Sequence, residues 1–275
     1  MVGKTTFAGK IRKFAARVRS EGLLPTIRWS FSTLRNDWRG WAGIYLLLNP
    51  RRVITKLTEK FSTEPFDRKA VRYGNYCLFP GSLSAKSVVY SFGVGTSIDF
   101  DLALAESVGC TVHCFDPTPR SIAFMQQYKS HPCITFIPKG VWTQDGTQTF
   151  FGNTDGGEAT NASITNLYNK GNSFSADCRT LESFMRDFGH DRIDVLKMDI
   201  EGSALPVLER MLEGNIRPRQ IAVELEREQP LVPWLRRVTR LFTALRAAGY
   251  RVIRLPRAHQ PYHSIEVLCV LRTAP

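Results

Sequence analysis

From Tyr73 onward, short apolar runs alternate with stretches in which apolar residues recur every three or four positions. Ser87 to Phe92 predicts a strand, and Ile98 to Val108 a helix that Gly109 stops. Thr111 to Phe115 predicts a second strand, Arg120 to Lys129 a helix, and Ile134 to Ile137 a third strand. Ile193 to Met198 predicts a fourth strand, followed by a helix from about Leu205 to Leu212. Gln220 to Glu224 predicts a fifth strand, Val238 to Ala248 a helix, and Tyr250 to Leu255 and Ile265 to Leu271 two closing strands. Strands separated by helices imply a parallel, doubly wound α/β sheet.

Two regions break the rhythm. Asp145-Gly146, between Thr143 and Thr147 and before Thr149-Phe150-Phe151, predicts a tight hairpin. A stretch rich in Gly, Asn, Thr and Ser, Gly152 to about Ser175, predicts a long loop of the lid or binding kind. Before residue 75 the pattern is helical: Phe7, Ile11, Phe14, Ala15 and Val18 share one face, with Lys10, Arg12, Lys13, Arg17 and Arg19 opposite. A second apolar segment, Trp38 to Leu48, and a third basic helix, Val53 to Phe61, follow. The chain therefore divides into a basic helical extension, 1–74, and an α/β domain, 75–275.

Charge follows the same division. Residues 1–60 hold thirteen Lys or Arg against three acids, which places +10 of the chain's net +12 there. Such helices either pack on the domain with a solvated basic face or touch an anionic membrane peripherally. Nucleic acid is not an expected partner, because no recognised binding motif accompanies the charge. The six cysteines form no CxxC pair and no metal site is expected of them; Cys110, His113 and Cys114 read as small side chains around one strand. No apolar stretch approaches the roughly 20 residues of a spanning helix, and a reducing cytoplasm, with membrane-peripheral attachment as a variant, is the expected setting.

The strongest local signal is Tyr90-Ser91-Phe92-Gly93-Val94-Gly95-Thr96-Ser97, a strand entering a glycine turn and then a helix. Phe92, Gly93, Gly95 and Thr96 stand where doubly wound folds bind nucleotides. A dinucleotide fingerprint needs a third glycine at position 98, which is Ile98. Asp99 and Asp101 open the following helix, where they suit its dipole but repel a pyrophosphate. A ligand with an ammonium and a sulfonium fits better, which favours S-adenosylmethionine over NAD. Asp116 ends the second strand, placed either for ribose hydroxyls or as a helix cap, and Gly140 and Val141 stand where an adenine would lie.

Lys197-Met198-Asp199-Ile200-Glu201-Gly202 leaves the fourth strand, and Glu224 and Glu226 close the fifth. Ionisable groups at the carboxyl end of a buried strand are costly unless paired or used. Either a salt-bridge network with Lys197 or a catalytic cluster answers to this pattern.

Arg179-Thr180-Leu181-Glu182-Ser183-Phe184, then Ile193 through Gly202, Val207-Leu208 and Ile221-Ala222-Val223-Glu224, resembles the FkbM-type methyltransferase family over about residues 75–272. The resemblance implies a Rossmann-like class I methyltransferase: a mostly parallel seven-stranded sheet with one antiparallel strand. It further implies S-adenosylmethionine as cofactor and a hydroxyl on a sugar, glycan or natural product as acceptor. The family's first motif reads like D-x-G-A-N-x-G, whereas Ser91 here stands in place of its Asp; S-F-G-x-G and Phe115-Asp116-Pro117 are similar to a methyltransferase-like branch. Asp99 or Asp101 is then expected to meet the methionyl ammonium.

An acceptor hydroxyl needs a base. Asp199 is the first choice, Glu201 and Glu224 the next, with Lys197 in the same cluster. A variant has Asp199, Glu201 and Glu224 hold Mg²⁺. The rival readings are an NAD-dependent oxidoreductase and, from another class, a non-catalytic methyltransferase-like scaffold.

Overall fold

The structure, a computed structural model, describes residues 69–153, 160–167, 171–228, 231–254 and 264–272, together with Ala16. The helices expected at Phe7 to Val18, Trp38 to Leu48 and Val53 to Phe61 lie outside the described residues, Ala16 excepted. Among the described residues no helix is long and apolar enough to cross a membrane.

A small antiparallel hairpin, β1 (Val71–Tyr73) and β2 (Tyr76–Leu78), crosses the boundary expected between residues 74 and 75. The alternating pattern then gives β3 (Val89–Phe92), α1 (Asp99–Val108), β4 (Val112–Phe115), α2 (Pro119–Met125) and β5 (Ile134–Ile137). After an inserted sheet come α3 (Leu181–Phe188), β10 (Val195–Met198), α4 (Ala204–Glu213), β11 (Gln220–Glu226), α5 (Leu231–Ala247), β12 (Tyr250–Arg254) and β13 (Ser264–Leu271). The main sheet has seven strands in the order β12-β13-β11-β10-β3-β4-β5. β13 runs antiparallel to both its neighbours and the other pairs are parallel, as expected.

The reason lies in the sequence. Every residue of β3 and β10 is buried, the state of a central parallel strand covered on both faces. β3 feeds β4 and β5 on one side, and β10 returns to its other side, so strand order reverses at β3. A crevice opens at the carboxyl ends of strands at such a point. Helix ends follow local chemistry: Gly109 (φ 74) closes α1, and Thr180 caps α3 by accepting from the Ser183 amide at 3.1 Å.

The inserted region departs from expectation. β6 (Gly140–Val141), β7 (Gly146–Asn153), β8 (Thr160–Ser163) and β9 (Ser173–Arg179) form a second sheet in the order β6-β9-β7-β8. Asp145-Gly146 therefore makes no hairpin between β6 and β7, because β9 lies between them, parallel to β6 and antiparallel to β7. Asp145 instead accepts from the Thr180 amide at 2.8 Å and the Ser183 hydroxyl at 2.7 Å, tying the turn to the start of α3. Within the expected lid loop, Gly152 to Ser175, residues 152–153, 160–163 and 173–175 are strand. Its polar residues conceal this, since β9 alternates exposed and half-buried positions over most of its length and carries few apolar ones.

Candidate active site

The crevice is a cavity of about 380 Å³ walled by the β3–α1 turn, the ends of β4 and β10, the β1–β2 turn and the inserted sheet. Phe92, Gly93, Gly95, Thr96, Asp99, Asp101, Asp116, Gly140, Val141, Lys197, Asp199 and Glu201 all line it. Glu224 does not; its carboxylate accepts from the Ser264 hydroxyl on β13.

The glycine turn is stitched to both neighbouring strands. The Gly93 amide donates to the Phe115 carbonyl at 2.9 Å, and the Asp199 amide to the Phe92 carbonyl at 3.1 Å. Gly93 (φ +79) is required less by a ligand than by this crossing, because a Cβ there would sit 1.6 Å from the Asp199 carbonyl oxygen. Gly95 (φ +55) differs: a Cβ there meets nothing within 4 Å and projects into open space. It is Gly95 that leaves room for a ligand to approach the backbone.

Asp116 is buried, with both carboxylate oxygens engaged. Oδ2 accepts from the Gly95 amide at 2.9 Å, and Oδ1 accepts from the Thr118 amide at 2.9 Å and the Thr118 hydroxyl at 2.6 Å. The cap of α2 is Thr118, not Asp116, since the Thr118 side chain accepts from the Ser121 amide. Asp116 thus holds the glycine turn against the end of β4 while facing the cavity.

Asp99 and Asp101 part company. Asp99 is exposed at the rim. Asp101 is 1% exposed, beside the Ser91 hydroxyl and the Cys114 thiol; burial raises its pKa, against the opposing pull of Lys197.

Lys197 is buried, and among the described residues its ammonium bonds to backbone carbonyls rather than to a carboxylate. Its ammonium donates to the Gly93 carbonyl at 2.7 Å and the Phe92 carbonyl at 3.3 Å, and lies 5.4 Å from the centre of the Tyr76 ring. After Asp199, Glu201 (φ 51) and Gly202 (φ 85) both take left-handed backbone conformations, a strained turn for a glutamate. The Gly202 amide donates to Glu226 Oε2 at 2.7 Å, which secures that turn. Burial, followed by the nearby Asp199, pushes the Glu226 carboxyl well above the usual range.

Two residues of this region stand out that sequence reasoning did not assign to the site. Tyr76 carries no spacing signal, yet its hydroxyl donates to Asp199 Oδ2 at 2.9 Å. Glu226 shares a strand face with Glu224, two positions away, and that alternation was the available signal. Among the described residues no group of three or more His, Cys, Asp or Glu side chains is arranged to hold a metal ion. The Asp199, Glu201 and Glu224 cage for Mg²⁺ is not formed, because Glu224 points its hydrogen bond to Ser264 instead.

A seven-stranded sheet of this order, with its cavity at the strand-order reversal, defines a Rossmann-like methyltransferase fold. The sequence matches the family described as Methyltransferase FkbM domain over residues 32–252, and the chain belongs to that family. It is 29% identical over 130 residues to the probable methyltransferase-like protein 24 of Rattus norvegicus, a match spanning 46% of this chain and 29% of the rat protein. Among solved structures, the methyltransferase FkbM of Methylobacillus flagellatus aligns with a TM-score of 0.48 at 14% identity, covering 83% of this chain and 60% of that one. The Methanococcus jannaschii fibrillarin pre-rRNA processing protein aligns with a TM-score of 0.41 at 8% identity, over 76% and 84% of the respective chains.

Proposed function

We propose that this chain is an S-adenosylmethionine-dependent O-methyltransferase acting on a hydroxyl of a sugar, glycan or natural-product acceptor. One observation carries the reading: a single cavity brings the Gly95 turn, Asp116 and the Asp199 carboxylate together. The residues present fit the cofactor. Gly95 leaves the space a Cβ would fill, Asp116 faces the cavity at the end of β4, and the enclosed Asp101 suits a cationic ammonium. Gly140, Val141 and Phe150 offer the wall an adenine needs. When bound, the cofactor supplies an electrophilic methyl group on a sulfonium.

The chain's own task is to position the acceptor, exclude water and take a proton. Asp199 suits the last: Tyr76 occupies Oδ2, and among the described residues no donor reaches Oδ1. Oδ1 receives the acceptor's hydroxyl proton as the oxygen attacks. Lys197 keeps the glycine turn and β10 in register by donating to the Phe92 and Gly93 carbonyls. Isothermal titration separates the readings. S-adenosylhomocysteine is expected to bind and NAD to give no heat; the absence of S-adenosylhomocysteine binding by folded protein would overturn the proposal.

A further inference from the structure

Tyr76 comes from outside the seven-stranded sheet, on a hairpin whose sequence carries no motif. The hairpin is nevertheless pinned at both ends. Beyond β2, the Phe79 amide donates to Gln220 Oε1 at 2.8 Å, and Gln220 Nε2 returns a bond to the Phe79 carbonyl at 2.9 Å. At the turn, Gly74 (φ +51) lies so close to α1 that a Cβ would come within 2.9 Å of the Phe100 amide nitrogen. The Tyr76 ring meets Phe100 edge-on at 5.6 Å, and the side chain is 4% exposed. A buried phenol so constrained presents its hydroxyl in one direction, and that direction is Asp199 Oδ2 at 2.9 Å.

We infer that Tyr76 is a positioning residue for methyl transfer: its hydroxyl fixes the Asp199 carboxylate so that Oδ1 faces the acceptor. This deepens the methyltransferase reading and rests on it for the chemistry, although the hydrogen bond itself can be tested without substrate. The surroundings suit a neutral donor, since burial first and the Asp199 charge second hold the phenol protonated. Packing alone does not demand a hydroxyl, because a phenylalanine would meet Phe100 equally well. The hydroxyl's function is therefore specific to Asp199. Tyr76 thus sets the direction of the proposed base.

The test compares Tyr76 ionisation, followed by ¹³C NMR at the ring Cζ, in wild type and in Asp199→Asn. The Tyr76 midpoint is expected at lower pH in the variant, because the Asp199 charge that helps hold the phenol protonated is gone. No difference overturns the inference. In Tyr76→Phe, S-adenosylhomocysteine affinity is expected to stay within about twofold; once an acceptor is in hand, kcat is expected to fall about tenfold with the cofactor KM unchanged. Wild-type kcat in folded Tyr76→Phe also overturns it. If wild type fails to bind S-adenosylhomocysteine while the Tyr76 midpoint still moves, the methyltransferase reading fails and the Tyr76–Asp199 coupling stands.

Discussion

Asp116 and Gly95 are joined by a 2.9 Å hydrogen bond from the Gly95 amide to Asp116 Oδ2, which ties the turn after β3 to the end of β4. A residue expected to serve a ligand is therefore also part of the scaffold beneath that ligand. Ribose hydroxyls can still use the remaining lone pairs, since each carboxylate oxygen accepts more than one bond. Asp116→Ala is expected to weaken S-adenosylhomocysteine binding by roughly 1–3 kcal/mol. It should also lower Tm, because the Gly95 and Thr118 amides both lose their acceptor. Calorimetric titration and a thermal melt read the two losses separately. Unchanged affinity in a folded variant would remove Asp116 from the ligand site and leave it only its scaffold role.

Gly93 and Gly95 make a paired prediction, because their surroundings differ. Both have left-handed φ, which costs an alanine roughly 1–2 kcal/mol. Gly93→Ala adds a clash with the Asp199 carbonyl and should lose several times that in stability, on the order of 3–5 kcal/mol. Gly95→Ala adds no protein clash, so its loss should stop at that roughly 1–2 kcal/mol, yet it should bind S-adenosylhomocysteine at least tenfold more weakly. Denaturant unfolding and titration of both variants check the ordering. The reverse ordering would mean that Gly95, not Gly93, carries the strand crossing.

Much of the seven-stranded sheet is legible in sequence, and for a physical reason. β3, β4, β10 and β11 are buried on both faces or nearly so, which forces runs of apolar residues that stand out from amphipathic helices. The inserted sheet hides because β7 and β9 are built largely of small and polar residues, with Phe150, Phe151 and Phe174 as their large apolar ones. β1 and β2 hide because three residues carry no period. The site divides the same way. Gly93, Gly95, Asp116 and Asp199 sit at ends of strands that the pattern reveals. Tyr76 reaches the site across 123 residues of sequence, a contact no local spacing encodes. Glu224 and Glu226 share a strand face, and only the fold tells which of them meets the turn after β10.

His113 packs among aromatic rings, with Tyr90 at 5.6 Å, Phe188 at 5.1 Å and the His190 ring at 5.1 Å. Burial, then the adjacent His190, lowers its pKa from 6.5 to about 4. The folded state thus refuses a proton that the unfolded state accepts between those values. Stability from this group is complete above about pH 6.5 and is lost as pH falls through 6.5 toward 4. The half-buried ring is partly screened, so the loss should be roughly 1–2 kcal/mol, discounted for solvent. His113→Phe is expected to flatten the stability profile over that window in denaturant titrations at stepped pH. An identical acid limb in the variant would assign the loss to other groups.

Asp199 offers the sharpest test of the chemistry, because the structure separates three roles for it. As a base, it needs an ionisable oxygen facing the acceptor; Asp199→Asn keeps an amide oxygen for Tyr76 but removes the base. The variant should fold, retain S-adenosylhomocysteine affinity and slow methyl transfer by roughly 10²–10⁴-fold, measured in single turnover after a screen of hydroxylated sugars. As a metal ligand, it would make wild-type activity collapse in chelator and return with Mg²⁺. As a purely structural partner of Tyr76, it would make the variant melt earlier while each folded molecule turned over normally. Wild-type turnover in folded Asp199→Asn would remove Asp199 from the chemistry and, with it, the function assigned to the Tyr76 hydroxyl.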